Sequence, residues 1–91
     1  MLIRSQDKEI LINFNNSPSI KIMEANRGAM IICSDTYETF VIGYYSEKAK
    51  AMKVLDMVQE AYERYEYEKT FKTGLTLFET FQMPEDSEVE V

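Results

Sequence analysis

At Val41-Ile42-Gly43-Tyr44-Tyr45-Ser46 this chain changes its period: before it apolar residues tend to alternate, and from Glu47 to about Tyr65 they recur every three or four residues. A strand pattern that runs directly into an amphipathic helix constrains the fold to a small sheet with a helical cover. Ala51, Val54, Leu55, Val58, Ala61, Tyr62 and Tyr65 fall within one third of the helix circumference at 100° per residue. Lys50, Lys53, Asp56, Glu60, Glu63 and Arg64 take the opposite side. Ser46 has the chemistry of an N-cap, since its hydroxyl can accept a bond from an unpaired amide of the first turn.

Five short segments ahead of the helix read as strands. Met1-Leu2-Ile3-Arg4 is the first, and Ile10, Ile12 and Phe14 share one face of the second. Asn15-Asn16-Ser17-Pro18 is a turn, after which Ile20 and Ile22 alternate with Lys21 and Met23. Ala25-Asn26-Arg27-Gly28 is the clearest hairpin signal, and it should pair residues 19–24 with residues 29–33. Tyr37 to Gly43 then pairs back, because short connections imply an antiparallel meander.

Beyond Tyr65 the helical pattern decays, with Gly74 a candidate terminator. Leu75 to Met83 alternates as a last strand, and Pro84 ends it. The expected fold is α+β: an antiparallel sheet of about five strands covered by one amphipathic helix, with a C-terminal strand that joins the sheet edge or crosses to another subunit. A sheet capped by one C-terminal helix is also the outline of a pleckstrin-homology-like barrel. Residues 1–83 form a single domain in this reading, and residues 84–91 an acidic mobile tail.

The chain has 91 residues, and a chain of that size buries roughly 60–70% of the surface its unfolded form exposes. The net charge of −6 is uneven: residues 74–91 carry five acidic and no basic groups, while the remainder is nearly balanced. Clustered Lys and Arg are missing, which argues against binding a phosphate backbone. The start Met1-Leu2-Ile3-Arg4 reaches charge at once, so neither a secretory signal nor a membrane span is expected. Cys33 is the only cysteine and sits in the apolar run Met30-Ile31-Ile32-Cys33, where a buried, inert thiol in a reducing cytoplasm fits best.

Most familiar catalytic chemistry lacks its residues. There is no histidine, no second cysteine for a zinc cluster, and no glycine-rich phosphate loop, since Gly28, Gly43 and Gly74 lie far apart. Asp56, Glu60 and Glu63 share a helix face, but Lys53 and Arg64 stand beside them, as on a solvated charged surface. The six tyrosines are accounted for mainly by packing: Tyr62 and Tyr65 lie on the core stripe, and one of Tyr44 and Tyr45 should pack beneath the helix. No catalytic residue, metal ligand or cofactor is assigned.

Three motifs together carry a resemblance. They are Met1-Leu2-Ile3-Arg4-Ser5-Gln6-Asp7-Lys8, the join Ile42-Gly43-Tyr44-Tyr45-Ser46 followed by Ala49, Val54-Leu55 and Val58-Gln59, and Phe81-Gln82-Met83-Pro84-Glu85-Asp86-Ser87. In this combination the chain resembles a family of small uncharacterised proteins of Gram-positive bacteria and their phages and prophages. The resemblance implies a cytoplasmic or mobile-element setting and no catalytic residues.

Met57, Tyr67, Phe71 and the strand-like segment with Leu75, Leu77, Phe78, Phe81 and Met83 exceed what one small core can hold. Surplus apolar surface points to association. The expected function is a non-enzymatic protein-interaction module, self-associating as a homodimer through Met57, Phe71, Leu75, Leu77, Phe78, Phe81 and Met83. The alternative is an acidic inhibitor that occupies the nucleic-acid site of a host protein. Neither reading involves nucleic acid, membrane or small molecule as a direct ligand.

Overall fold

Alternation and turn chemistry build the first half of the molecule, and one long helix closes it. The computed structural model describes the backbone of residues 1–16, 19–71 and 79–91, and the side chains of all of these except Phe71. The elements are β1 (Leu2–Arg4), β2 (Leu11–Asn13), a 3-10 turn (Phe14–Asn16), β3 (Ser19–Ala25), β4 (Gly28–Ser34), β5 (Thr39–Tyr45), α1 (Lys48–Phe71), β6 (Thr80–Gln82) and a second 3-10 turn (Asp86–Glu88).

The α+β class is as expected, but the sheet is divided. Among the described residues the strands form two three-stranded sheets, ordered β3-β4-β5 and β2-β1-β6, where one sheet of about five strands was expected. The first is an antiparallel meander with Ala25 opposite Gly28 at its hairpin. Gly28 has φ +111°, and a Cβ there would lie 2.2 Å from the carbonyl oxygen of Tyr45, so only glycine serves both the turn and the close approach. Ile31 faces Gly43 and Ile32 faces Val41, which makes Ile42 an extra residue on β5. This bulge is why Ile42 and Gly43 are buried in succession where strict alternation would expose one of them.

In the second sheet β1 pairs antiparallel with β2 but parallel with β6, from Leu2 opposite Thr80 to Arg4 opposite Gln82. β1 and β6 lie near opposite ends of the chain, so the connection between them is long enough for a parallel pair. The last strand, expected over residues 75–83, is described only at Thr80–Gln82, and residues 75–78 lie outside the described residues.

The helix runs past Tyr65 to Phe71, longer than its apolar stripe. Glu47 is its N-terminal boundary, since its carbonyl accepts from the amides of Lys50 and Ala51. Ser46 is therefore not the cap; its hydroxyl donates to Asp86 instead. Ala51, Val54, Val58, Ala61 and Tyr65 are buried against Ala29, Ile31 and Cys33 of β4, Ile42 and Tyr45 of β5, Met1 and Ile3, and Met83 and Val89. Leu55 and Tyr62, on the flank of the stripe nearest β3, are only half-buried. No helix among the described residues is long and apolar enough to cross a membrane.

The segment expected as an acidic mobile tail, residues 84–91, is packed. Val89 is buried in the core, and Asp86 and the carbonyl of Glu90 accept from Lys50 and Lys53 of α1. Charge gave the segment its tail-like appearance; Val89, its backbone carbonyls and the Asp86 carboxylate hold it down.

Candidate protein-docking groove

The three motifs that carry the sequence resemblance meet in space. The Gln6 amide donates to the carbonyls of Tyr44 and Pro84, each at 3.1 Å, while its oxygen accepts from the Tyr44 amide at 2.8 Å. The Gln6 backbone amide reaches the Ile42 carbonyl at 2.8 Å, so one glutamine ties the β1-β2 loop to β5 and to the C-terminal segment. The Tyr45 hydroxyl also donates to the Pro84 carbonyl at 2.8 Å, and Gln82 donates to the carbonyls of Ser5 and Met83. Asp86 accepts from the Ser46 amide at 2.8 Å and from its hydroxyl at 3.0 Å.

These groups are engaged in holding the fold together. Ser5 is 1% exposed, and its oxygen is committed to Asp7 and the Ile10 amide. Burial pushes the Tyr45 hydroxyl far up from its ordinary value, with Glu85, Asp86 and Glu88 adding to the effect, so it stays a neutral donor. Burial, and secondarily Asp35, also raises the Cys33 thiol, which makes it a poor nucleophile. Among the described residues no group of three or more Cys, Asp or Glu side chains is placed to hold a metal ion.

The candidate surface lies on the other side of the helix. β3 ends its sheet, and among the described residues nothing pairs with its outer edge. In a two-residue hairpin the closing pair Ala25 and Gly28 exchanges hydrogen bonds. The alternation then turns the backbone groups of Met23 and Lys21 toward β4, and those of Glu24, Ile22 and Ile20 toward the open side. β3 is seven residues long and has neither proline nor bulge; of the features that close a strand edge to further pairing it carries the charges of Lys21 and Glu24.

Beside that edge runs an apolar groove of about 310 Å³ between β3, the first 3-10 turn and α1, lined by Phe14, Ile20, Leu55, Val58, Gln59 and Tyr62. The Phe14 and Tyr62 rings meet edge to face at 5.0 Å and close one end. Toward the helix N-terminus Lys48 pairs with Glu24 at 3.1 Å. An open ladder of backbone donors and acceptors beside an apolar trough can take an extended chain whose alternate side chains enter the trough.

The expected interface residues divide. Met83 is 1% exposed and belongs to the core of its own chain, and Phe81 packs against the same core, so neither is free to build a dimer contact. Met57 is 36% exposed on α1. The side chains of Phe71, Leu75, Leu77 and Phe78 lie outside the described residues. The groove residues Phe14, Ile20 and Leu55 were not singled out by sequence as a surface, because their apolar periodicity is the same as that of a core position. Exposed apolar residues, also unsignalled, stand on the outer face of the β3-β4-β5 sheet: Met23 and Tyr44 flank half-buried Met30 in one register row, and Val41 lies beside buried Ile32 in the next.

The fold and the groove define a small α+β protein with an edge strand that is unpaired among the described residues. The chain matches no protein-family model, and comparison with curated proteins and with solved structures gave no match.

Proposed function

We propose that this protein is a non-enzymatic interaction module of bacterial or phage origin, working in the cytoplasm, whose partner is a protein strand laid along β3 and into the α1 groove. The observation that carries this reading is the regular seven-residue edge of β3, unpaired among the described residues and bordering an apolar groove. Main-chain pairing supplies affinity in such a mode, and the trough supplies selectivity for apolar residues at alternate positions. The polar network at Gln6, Tyr45, Pro84 and Asp86 is architectural, consistent with a protein whose work is done by a surface.

Selection of short random peptides on the immobilised protein tests this reading. Peptides with alternating apolar residues should emerge, and Leu55→Glu, which places a charge in the groove without touching the core, should abolish their binding. Failure to select such peptides, or binding indifferent to Leu55→Glu, would overturn it.

One observation favours the acidic-inhibitor reading as a second possibility: the C-terminal acids are held on a folded segment. Asp86 is engaged by Ser46 and Lys50, which leaves Glu85, Glu88 and Glu90 exposed. Under this reading the protein elutes host proteins from DNA-cellulose, and a variant with Gln at positions 85, 88 and 90 does not. Equal elution by both removes it.

A further inference from the structure

Resting on the strand-docking reading, we infer that the strand received by β3 is the β3 strand of a second copy, in an antiparallel two-fold pairing centred on Ile22. A two-fold axis perpendicular to the sheet keeps inward residues opposite inward residues, so only registers that shift by two need comparison. With Ile22 on the axis, Ile22 faces its own counterpart and Ile20 faces Glu24 of the other copy. All three residues whose backbone groups point outward then find partners, for about six new hydrogen bonds.

The neighbouring registers do worse. Shifting one way leaves Glu24 with no partner in β3, which begins at Ser19. Shifting the other way sets Ile20 opposite Asn26, inside the hairpin turn. The register centred on Ile22 is thus the one that the length and limits of β3 favour.

The helices permit it. α1 packs across β3, β4 and β5, so its axis lies near β4. Pairing β3 with β3 separates the two β4 strands by three strand spacings, about 14 Å. Packed helices approach to about 8–10 Å, so the two copies of α1 do not collide. The space left between them is lined by the half-buried Ile20, Leu55, Tyr62 and Phe14 of both chains, and the two grooves become one. On the outer face Lys21 comes opposite Met23 of the other copy, where its methylene stem can cover the sulfur side chain while its ammonium stays in water.

Single-cysteine variants read the register directly. Lys21 and Met23 would form a non-hydrogen-bonded cross-strand pair with Cα atoms about 4.5 Å apart, within the range a disulfide bridges. Oxidised with glutathione disulfide, a mixture of Lys21→Cys and Met23→Cys proteins should give a cross-linked heterodimer, while neither variant cross-links alone. Cys33, buried in the core, stays out of the reaction. Cross-linking of Lys21→Cys alone, or of Met23→Cys alone, would assign a shifted register and overturn the pairing proposed. In light scattering after size exclusion, the parent should have twice the chain mass, and Ile22→Pro, which removes an outward N–H at the axis, should be monomeric with an unchanged circular dichroism spectrum. A monomeric parent, or a dimer in which no combination cross-links, overturns the inference. Peptides whose binding still depends on Leu55 would then keep the wider docking reading intact, whereas their absence as well would remove both.

Discussion

The hydroxyl of Tyr45 donates to the carbonyl of Pro84 at 2.8 Å, joining the last residue of β5 to a segment thirty-nine positions later. The same carbonyl accepts from the Gln6 side chain, so the start, the middle and the end of the chain share one oxygen atom. Tyr45 is fully buried, and Gly43 makes room for its ring. Replacing Tyr45 with Phe removes one bond and keeps the packing. The expected loss is about 1 kcal/mol in chemical denaturation.

Deleting residues 84–91 should do more. It removes buried Val89 and leaves the Tyr45 hydroxyl without its acceptor, so a loss of about 2–4 kcal/mol is expected. An unchanged melting temperature on deletion would restore the picture of a free acidic tail.

The core and the groove are separable by mutation. Ile31, fully buried at the centre of β4, should lose roughly 2–5 kcal/mol on truncation to alanine. Leu55→Ala, on the half-buried groove wall, should lose about 1 kcal/mol, and exposed Asp56→Ala about 0.5 kcal/mol at most in either direction. Equal losses at Ile31 and Leu55 in urea titrations would mean that the groove is filled rather than open.

Acid should loosen the C-terminal segment. The Ser46 amide holds the Asp86 carboxyl below its ordinary value, helped by the Ser46 hydroxyl and Lys50. Because the folded-state pKa is depressed, the stabilisation is present above the ordinary carboxylate range and is lost as pH falls through the lower, folded value. Asp7 and Asp35 are lowered by turn hydrogen bonds in the same direction, Asp7 chiefly by Ser5 and Asp35 by the Glu38 amide. Melting temperature measured from pH 6 downward should therefore fall at the acid end, and Asp86→Asn should make that limb shallower. A limb of the same steepness in Asp86→Asn would place the acid sensitivity in the other two turns.

Two glycines should tolerate no side chain, for different reasons. Gly28→Ala meets both the positive φ and a backbone oxygen that cannot move aside, and a loss above about 2 kcal/mol is expected. At Gly43 the added Cβ would sit 2.9 Å from the Tyr45 ring and 3.3 Å from the Met83 side chain, so Gly43→Ala should loosen the C-terminal contact. Amide exchange would show this as faster exchange at Met83, whose amide bonds the Arg4 carbonyl.

The α+β class, the hairpin at Ala25–Gly28 and the helix face built on Ala51, Val54, Val58, Ala61 and Tyr65 are legible in the residues alone. Each is written in neighbours a few residues apart: a period of two, a period near four, or a glycine where φ must be positive. Tertiary structure alone decided the rest. The division into two sheets, the parallel pairing of β6 with β1 and the open edge of β3 depend on which distant strands meet, and strand pairing leaves almost no local mark. Val89 reads as one apolar residue among acids until the floor beneath it is known, and Leu55 reads as core until the sheet proves too narrow to cover it. Local pattern fixes which face of an element is apolar; only the assembled fold fixes how much of that face is covered, and the uncovered remainder along β3 and α1 is the surface from which a function is proposed.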